Sequence, residues 1–247
     1  MTDPGSATTN LQPANSEIEP ESPVTIPATL LVSLAGATLM LVLFAWMARE
    51  VLRGDAENFD TLVRMWVHRY ASPTMTRIMT GTSMLGGQLL VVEFLAAMAV
   101  FLALKWRRAA TWLAVAVAGA MMLEYSLKLV FQRPRPPTFF GVSPHDYSFP
   151  SGHALVSFCF YGVVAGLLAD RTQSLLLEIL IWTSAACTVV AIGLSRVYLG
   201  MHHPTDVIAG FLAATLWVST IVALDHIRLL RRQRSAKNNR QKSWRLG

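Results

Sequence analysis

Ala28 to Ala48 runs for 21 residues without a charged side chain. An apolar helix needs about 20 residues to cross the hydrocarbon of a bilayer. Further apolar stretches follow at Met84–Leu104, Ala109–Phe131, His153–Ala169, Leu175–Ser195 and His203–Leu224, of which His153–Ala169 is a little short. Backbone amides in lipid have no water to bond, so each such stretch must satisfy its own peptide groups as a helix. The expected fold is therefore all-α, a bundle of six membrane-spanning helices. Only 15% of the 247 residues are charged, against about 25% in soluble domains.

The segments around this bundle read differently. Residues 1–27 are rich in Ser, Thr, Pro, Asn and Glu with no apolar period, the composition of a disordered tail. That tail is acidic where a cleavable leader would be basic, so the first span reads as a retained helix. Between spans one and two, Phe59, Leu62, Val63, Trp66, Val67 and Tyr70 recur at helical spacing, with Asp60, Arg64, His68 and Arg69 mostly between them. That pattern predicts an amphipathic helix lying at the membrane interface. Ser72-Pro73 ends it, and Gly86-Gly87 near the start of span two allows close helix packing. Cys159 and Cys187 fall inside spans and read as small apolar fillers.

The net charge of +6 is placed for a membrane surface rather than for nucleic acid. Eight of the 21 basic residues lie between Arg228 and Arg245, and Lys105, Arg107, Arg108 and Arg171 fall in the loops on that same face. Excess Lys and Arg marks the cytoplasmic side, so both termini are expected inside. Residues 227–247 form a basic tail suited to anionic headgroups.

The remaining ionisable groups gather in three segments, all at the outer ends of spans in this topology. "KLVFQRPRPP" carries Lys128, Arg133 and Arg135; "FPSGHAL" carries Ser151, Gly152 and His153; "LSRVYLGMHHPTDV" carries Ser195, Arg196, His202, His203 and Asp206. Charge at such a depth is a functional-site signal. Lys128, Arg135 and Arg196 concentrate positive charge suited to phosphate oxygens. Ser151 and Gly152 open a helix whose free N–H groups and dipole form an anion site. His202 and Asp206 are four apart, so an Asp accepting from one imidazole nitrogen would leave the other as a nucleophile. His153 is placed to protonate a departing oxygen.

Other uses of the same residues stand beside this one. Lys128 is one turn from Glu124 and can pair with it, Arg133-Pro134-Arg135-Pro136 can be a charged turn, and Asp206 can cap its own helix. The histidines with Asp206 also resemble a metal set, although three neighbouring cations would repel the ion.

Lys128–x6–Arg135-Pro136, Pro150-Ser151-Gly152-His153 and Ser195-Arg196–x5–His202–x3–Asp206 together resemble the three-part signature of the type 2 phosphatidic acid phosphatase (PAP2) family. The resemblance implies a PAP2-like phosphatase domain over residues 28–226. In it His202 attacks phosphorus to give a phosphohistidine, Asp206 orients it, and His153 acts as acid and then base. It assigns Lys128, Arg135, Ser151, Gly152 and Arg196 to the phosphoryl oxygens and requires no metal and no cofactor. The family spacing selects Arg135 over Arg133 and His202 over His203.

The expected function is hydrolysis of a lipid phosphate monoester or diphosphate, of phosphatidate, phosphatidylglycerophosphate or undecaprenyl diphosphate type. The expected place is a bacterial inner membrane, with the site on the extracytoplasmic side. Partners are that lipid and its neighbours, and no nucleic acid. Transfer of the phosphoryl group to another acceptor, inert lipid-phosphate binding and a vanadate-dependent peroxidase are the competing readings. Oligomeric state leaves no mark in the sequence.

Overall fold

In the computed structural model the described residues, 28–140 and 145–246, form eight helices and no strand. They are α1 (Ala28–Arg53), α2 (Glu57–His68), α3 (Pro73–Leu85), α4 (Gln88–Ala103), α5 (Arg107–Phe131), α6 (Gly152–Ala169), α7 (Leu175–Tyr198) and α8 (Pro204–Leu246). Five segments, within α1, α5, α6, α7 and α8, are long and apolar enough to cross a membrane, and α3 with α4 adds a sixth if the bent pair counts as one. Apolar side chains cover the outside of these helices as well as filling the core. Val32, Val92, Met122 and Val130 are exposed, while Ala, Ser and Gly fill the contacts around α6. The expected disorder of residues 1–27 falls outside the described residues.

Span two departs from the continuous helix that its hydropathy suggests. The chain breaks at Gly86-Gly87, and α3 and α4 meet at a bend of 40°. Ser72 starts α3 by accepting from the Met75 N–H, with Pro73 in the first turn. At the break the Leu85 carbonyl lies 3.2 Å from the Tyr161 hydroxyl, which bonds the Glu93 carboxylate at 2.6 Å. A neighbouring helix thus takes up a polar group that the bend would otherwise strand in lipid.

The amphipathic helix forms as expected, with an unexpected orientation. Phe59, Leu62, Met65 and Trp66 on α2 are exposed, while Asp60 and Arg64 are buried against the protein. Its apolar face is therefore free for lipid, and its polar face points into the bundle. The apolar core lies along α5, α6 and α8, and Phe44, Phe131 and Phe149 stack together at the end where the three motif segments meet. The basic stretch after residue 227 continues α8 to Leu246.

Candidate active site

α6 begins at Gly152, so Ser151 is the residue capping it, as the sequence suggests. The Ser151 N–H donates to the Asp206 carbonyl at 2.9 Å, which ties the start of α6 to the first turn of α8. The Ser151 hydroxyl is fully buried and makes no hydrogen bond. A buried hydroxyl without a partner costs free energy, and it stands at the end of a helix that favours an anion. Gly152 lets the Glu124 carboxylate pack directly against the backbone, where a Cβ would clash with it. An acidic oxygen thus already rests at this position.

Three cations lie near enough to this end of α6 to act on His153 in its first turn. Lys128, in the last turn of α5, pairs with Glu124 at 2.9 Å and with Asp146 at 2.8 Å. The intrahelical pairing open to Lys128 from the sequence is therefore present, and a second carboxylate joins it. Arg135 reaches Asp146 at 2.7 Å and donates to the Met201 carbonyl at 2.6 Å. Arg196, in the last turn of α7, donates to the Ser83 hydroxyl of α3 at 2.6 Å, and its Nε is buried without a partner. Burial alone would raise the Asp146 carboxyl. The hydrogen bond and charge of Lys128, then the charge and hydrogen bond of Arg135, outweigh that and hold it below the usual value.

His202 lies in the turn before α8 and is 1% exposed. Its Nδ1 is 2.9 Å from the Ser148 carbonyl, and its Nε2 is 3.2 Å from Nη1 of Arg135. A carbonyl only accepts, so Nδ1 carries the proton and the Nε2 lone pair faces the cations. Asp206 stands 3.6 Å from Nδ1, behind the ring. The hydrogen bond expected from Asp206 is thus made by Ser148, and Asp206 instead receives the His203 N–H at 2.8 Å and Arg133 at 2.7 Å. The capping role open to Asp206 is therefore also filled. Burial pushes the His202 imidazole down to about 4, with Asp206 opposing and Arg135 and Arg196 reinforcing the shift.

His153 enters from the first turn of α6, and Arg196, His202, Lys128 and Arg135 are near enough to act on its charge. Its ring lies against the break in span two, where a Cβ on Gly87 would come within 2.8 Å of Nε2. All eight residues singled out by the motifs therefore converge at one end of the bundle. The neighbours of the two selected residues lie behind His202, on the side of Asp206. Arg133 is turned away toward Asp60 and Asp206, and His203 Nδ1 lies 3.8 Å from Asp60.

Sequence reasoning missed four contributors. Ser148 acts through its backbone, which no residue type advertises. Ser83 lies just before the predicted span two and Asp146 between spans, and neither belongs to a motif segment. Asp60 read as the solvated face of α2. Among the described residues no group of three or more His, Cys, Asp or Glu side chains is arranged to hold a metal.

Known proteins are similar to this chain. The model of the PAP2 superfamily matches residues 109–228. Phosphatidylglycerophosphatase B of Bacillus subtilis is 28% identical over 177 residues, covering 70% of this chain and 86% of that one. Undecaprenyl-diphosphatase of Sulfolobus acidocaldarius is 28% identical over 190 residues, covering 73% and 86%. The crystal structure of a transmembrane PAP2-type phosphatidylglycerolphosphate phosphatase from Bacillus subtilis superposes with a TM-score of 0.70 at 25% identity, over 76% of this chain and 94% of that one. The sequence match falls on the segment that builds the site, and the structural match extends to the bundle that carries it: over residues 109–228 the chain matches the PAP2 superfamily, and it is similar to membrane phosphatases of that superfamily.

Proposed function

We propose that the protein hydrolyses a terminal phosphate or diphosphate on a membrane lipid, with His202 Nε2 as the nucleophile. The observation that carries this is the fixed tautomer of His202, whose Nδ1–H is held by the Ser148 carbonyl while Nε2 faces Arg135. Nε2 attacks phosphorus, the phosphorus–oxygen bond to the lipid breaks, and His153 gives its proton to the departing oxygen. The imidazole of His202, now bonded at both nitrogens, carries positive charge beside Asp206. His153 then takes a proton from water, whose oxygen attacks phosphorus and breaks the phosphorus–nitrogen bond. Inorganic phosphate leaves and His202 returns to its starting form. Lys128, Arg135, Arg196, the Ser151 hydroxyl and the Gly152 N–H hold the three phosphoryl oxygens through charge and hydrogen bonds.

Substrates of the phosphatidylglycerophosphate or undecaprenyl diphosphate type fit this site, because the relatives are named for them and because the site lies at one end of the bundle. The excess of Lys and Arg at the other end supports cytoplasmic termini and an extracytoplasmic site in a bacterial inner membrane. The test is phosphate release by detergent-purified protein from both lipids in the presence of EDTA, followed by acid-labile phosphohistidine trapping. Release that survives EDTA, and is lost in His202→Ala, is expected. Release that requires a divalent ion, or persists in His202→Ala, overturns the mechanism, and phosphate appearing on a second molecule assigns the protein to transfer.

A further inference from the structure

Asp60 is one of the most buried polar side chains described, at 1% exposure, and it belongs to none of the three motifs. It sits on α2, whose apolar face is exposed, so the carboxylate is the part of that helix turned inward. Desolvating a carboxylate is costly unless every oxygen finds a partner. Here each does. Oδ1 accepts the Thr205 N–H at 2.9 Å, and Oδ2 accepts the Thr205 hydroxyl and Nη2 of Arg133, both at 2.7 Å. Arg133 spends its other terminal nitrogen, Nη1, on Asp206 Oδ1 at 2.7 Å and on the Thr205 hydroxyl at 2.8 Å.

The contacts form a ladder from the membrane surface to the nucleophile. One guanidinium spans two carboxylates, and the second of these, Asp206, lies 3.6 Å behind His202 Nδ1. Arg133 is also two residues before Arg135, which faces the opposite nitrogen of the same imidazole. Pinning Arg133 therefore fixes what stands behind His202 and the segment that stands in front of it.

We propose that Asp60 is a positioning residue for the reaction: through Arg133 it holds Asp206 and the Arg135 segment about His202, so that the interfacial helix α2 is a working part of the catalytic centre. The proposal rests on His202 being the nucleophile. Asp60 touches no reacting atom, so its removal leaves the phosphate-binding cations Lys128 and Arg196 in place and disturbs the alignment of attack. A misplacement of about 1 Å at a reacting group costs on the order of 100-fold in rate.

The experiment compares wild type, Asp60→Asn, Asp206→Asn and the double variant as full-length protein in detergent. It reads kcat, KM and the inhibition constant of vanadate. Asp60→Asn is expected to lower kcat about 10- to 100-fold while KM and vanadate inhibition move less than about threefold. In the Asp206→Asn background the same change is expected to cost less than about threefold, because the group it acts through is already impaired. A kcat within about twofold of wild type, or an equal loss in both backgrounds, overturns the proposal and leaves Asp60 as a tether for α8. Should Asp60→Asn fail to fold, Arg133→Lys serves in its place. A lysine cannot bridge two carboxylates as the planar fork does, so wild-type turnover in Arg133→Lys also overturns it. Wild-type protein that releases no phosphate refutes the nucleophile itself, an outcome distinct from intact wild type beside an unaffected Asp60→Asn.

Discussion

Gly87→Ala separates the general acid from the rest of the site. A Cβ at this position would stand 2.8 Å from Nε2 of His153, with Gly86 hemming the same ring from beside it. Carbon contacts in a packed interior settle at about 3.5 Å, so the imidazole must move by about 0.7 Å to admit the methyl group. A general acid works only within about 2.6–3.2 Å of the oxygen it protonates, and this displacement takes His153 out of that range. Acid–base catalysis is worth about 10²- to 10⁴-fold. A partial loss of about 10- to 100-fold in kcat is expected on a lipid phosphate, equivalent to about 1.4–2.7 kcal/mol in the barrier. The assay is hydrolysis of two substrates, one with an alkyl leaving group and one, p-nitrophenyl phosphate, whose leaving group departs without a proton. Only the alkyl substrate should suffer the full loss, and vanadate inhibition should hold within about threefold because the cations are untouched. Equal losses on both substrates, or none on either, would refute the assignment of His153.

Two further outcomes follow from charge. His202 is held down to about 4 by burial, below its ordinary 6.5, so the unfolded chain binds that proton first. Stability is therefore full above pH 6.5 and falls between there and about pH 4 by on the order of 3 kcal/mol. His202→Gln is expected to flatten that part of the melting profile by about one proton, and an unchanged profile would remove the effect from His202. Asp146 occupies Lys128 and Arg135, the cations assigned to the substrate, so phosphate must displace it. Asp146→Asn is expected to lower the inhibition constant of inorganic phosphate about 3- to 10-fold, less at high salt; a raised constant would mean that the carboxylate orients those cations instead.

The parts legible in the sequence are those whose physics acts along the chain. Hydrophobic run length located α1, α5, α6, α7 and α8, because lipid imposes one requirement on every spanning helix. It failed at Met84–Leu104, where composition stays apolar through Gly86-Gly87 while the backbone bends, since hydropathy averages over a window and does not register a turn. The three motif segments could be singled out because each carries its chemistry in side chains at fixed spacing, and the structure brings them together at one end of the bundle. They could not reveal that Ser148 offers a carbonyl to His202, or that Ser83 reaches Arg196 from a helix more than a hundred residues earlier. For Asp60 the difficulty was ambiguity. A polar face on an amphipathic helix looks alike whether it meets water or a buried guanidinium, and only the surroundings of α2 decide which face turns inward.

Those surroundings also set two arginines, two residues apart, in opposite electrostatic settings. In front of His202, Lys128 and Arg135 pair with Glu124 and Asp146 while Arg196 bonds the Ser83 hydroxyl, which leaves positive charge in excess at the proposed phosphate site. Behind it, Arg133 meets Asp60 and Asp206, which leaves negative charge in excess among the groups in direct contact. An imidazole attacking phosphorus from Nε2 changes from neutral to cationic as the bond forms. The field it sits in attracts the phosphate on one side and favours the charge created on the ring on the other. Because both carboxylates behind the ring are already fixed by Arg133, they need not reorganise as that charge appears, which is the condition under which electrostatic stabilisation is strongest. Exchanging the two arginines in function would leave the phosphate facing a neutralised wall and the imidazolium facing an unpaired carboxylate pair free to move. The Arg-Pro-Arg-Pro segment prevents this: Ser148 bonds the Arg133 and Pro134 carbonyls, at 2.9 Å and 3.1 Å, which anchors the short stretch between the two guanidinium groups on the same residue that holds His202.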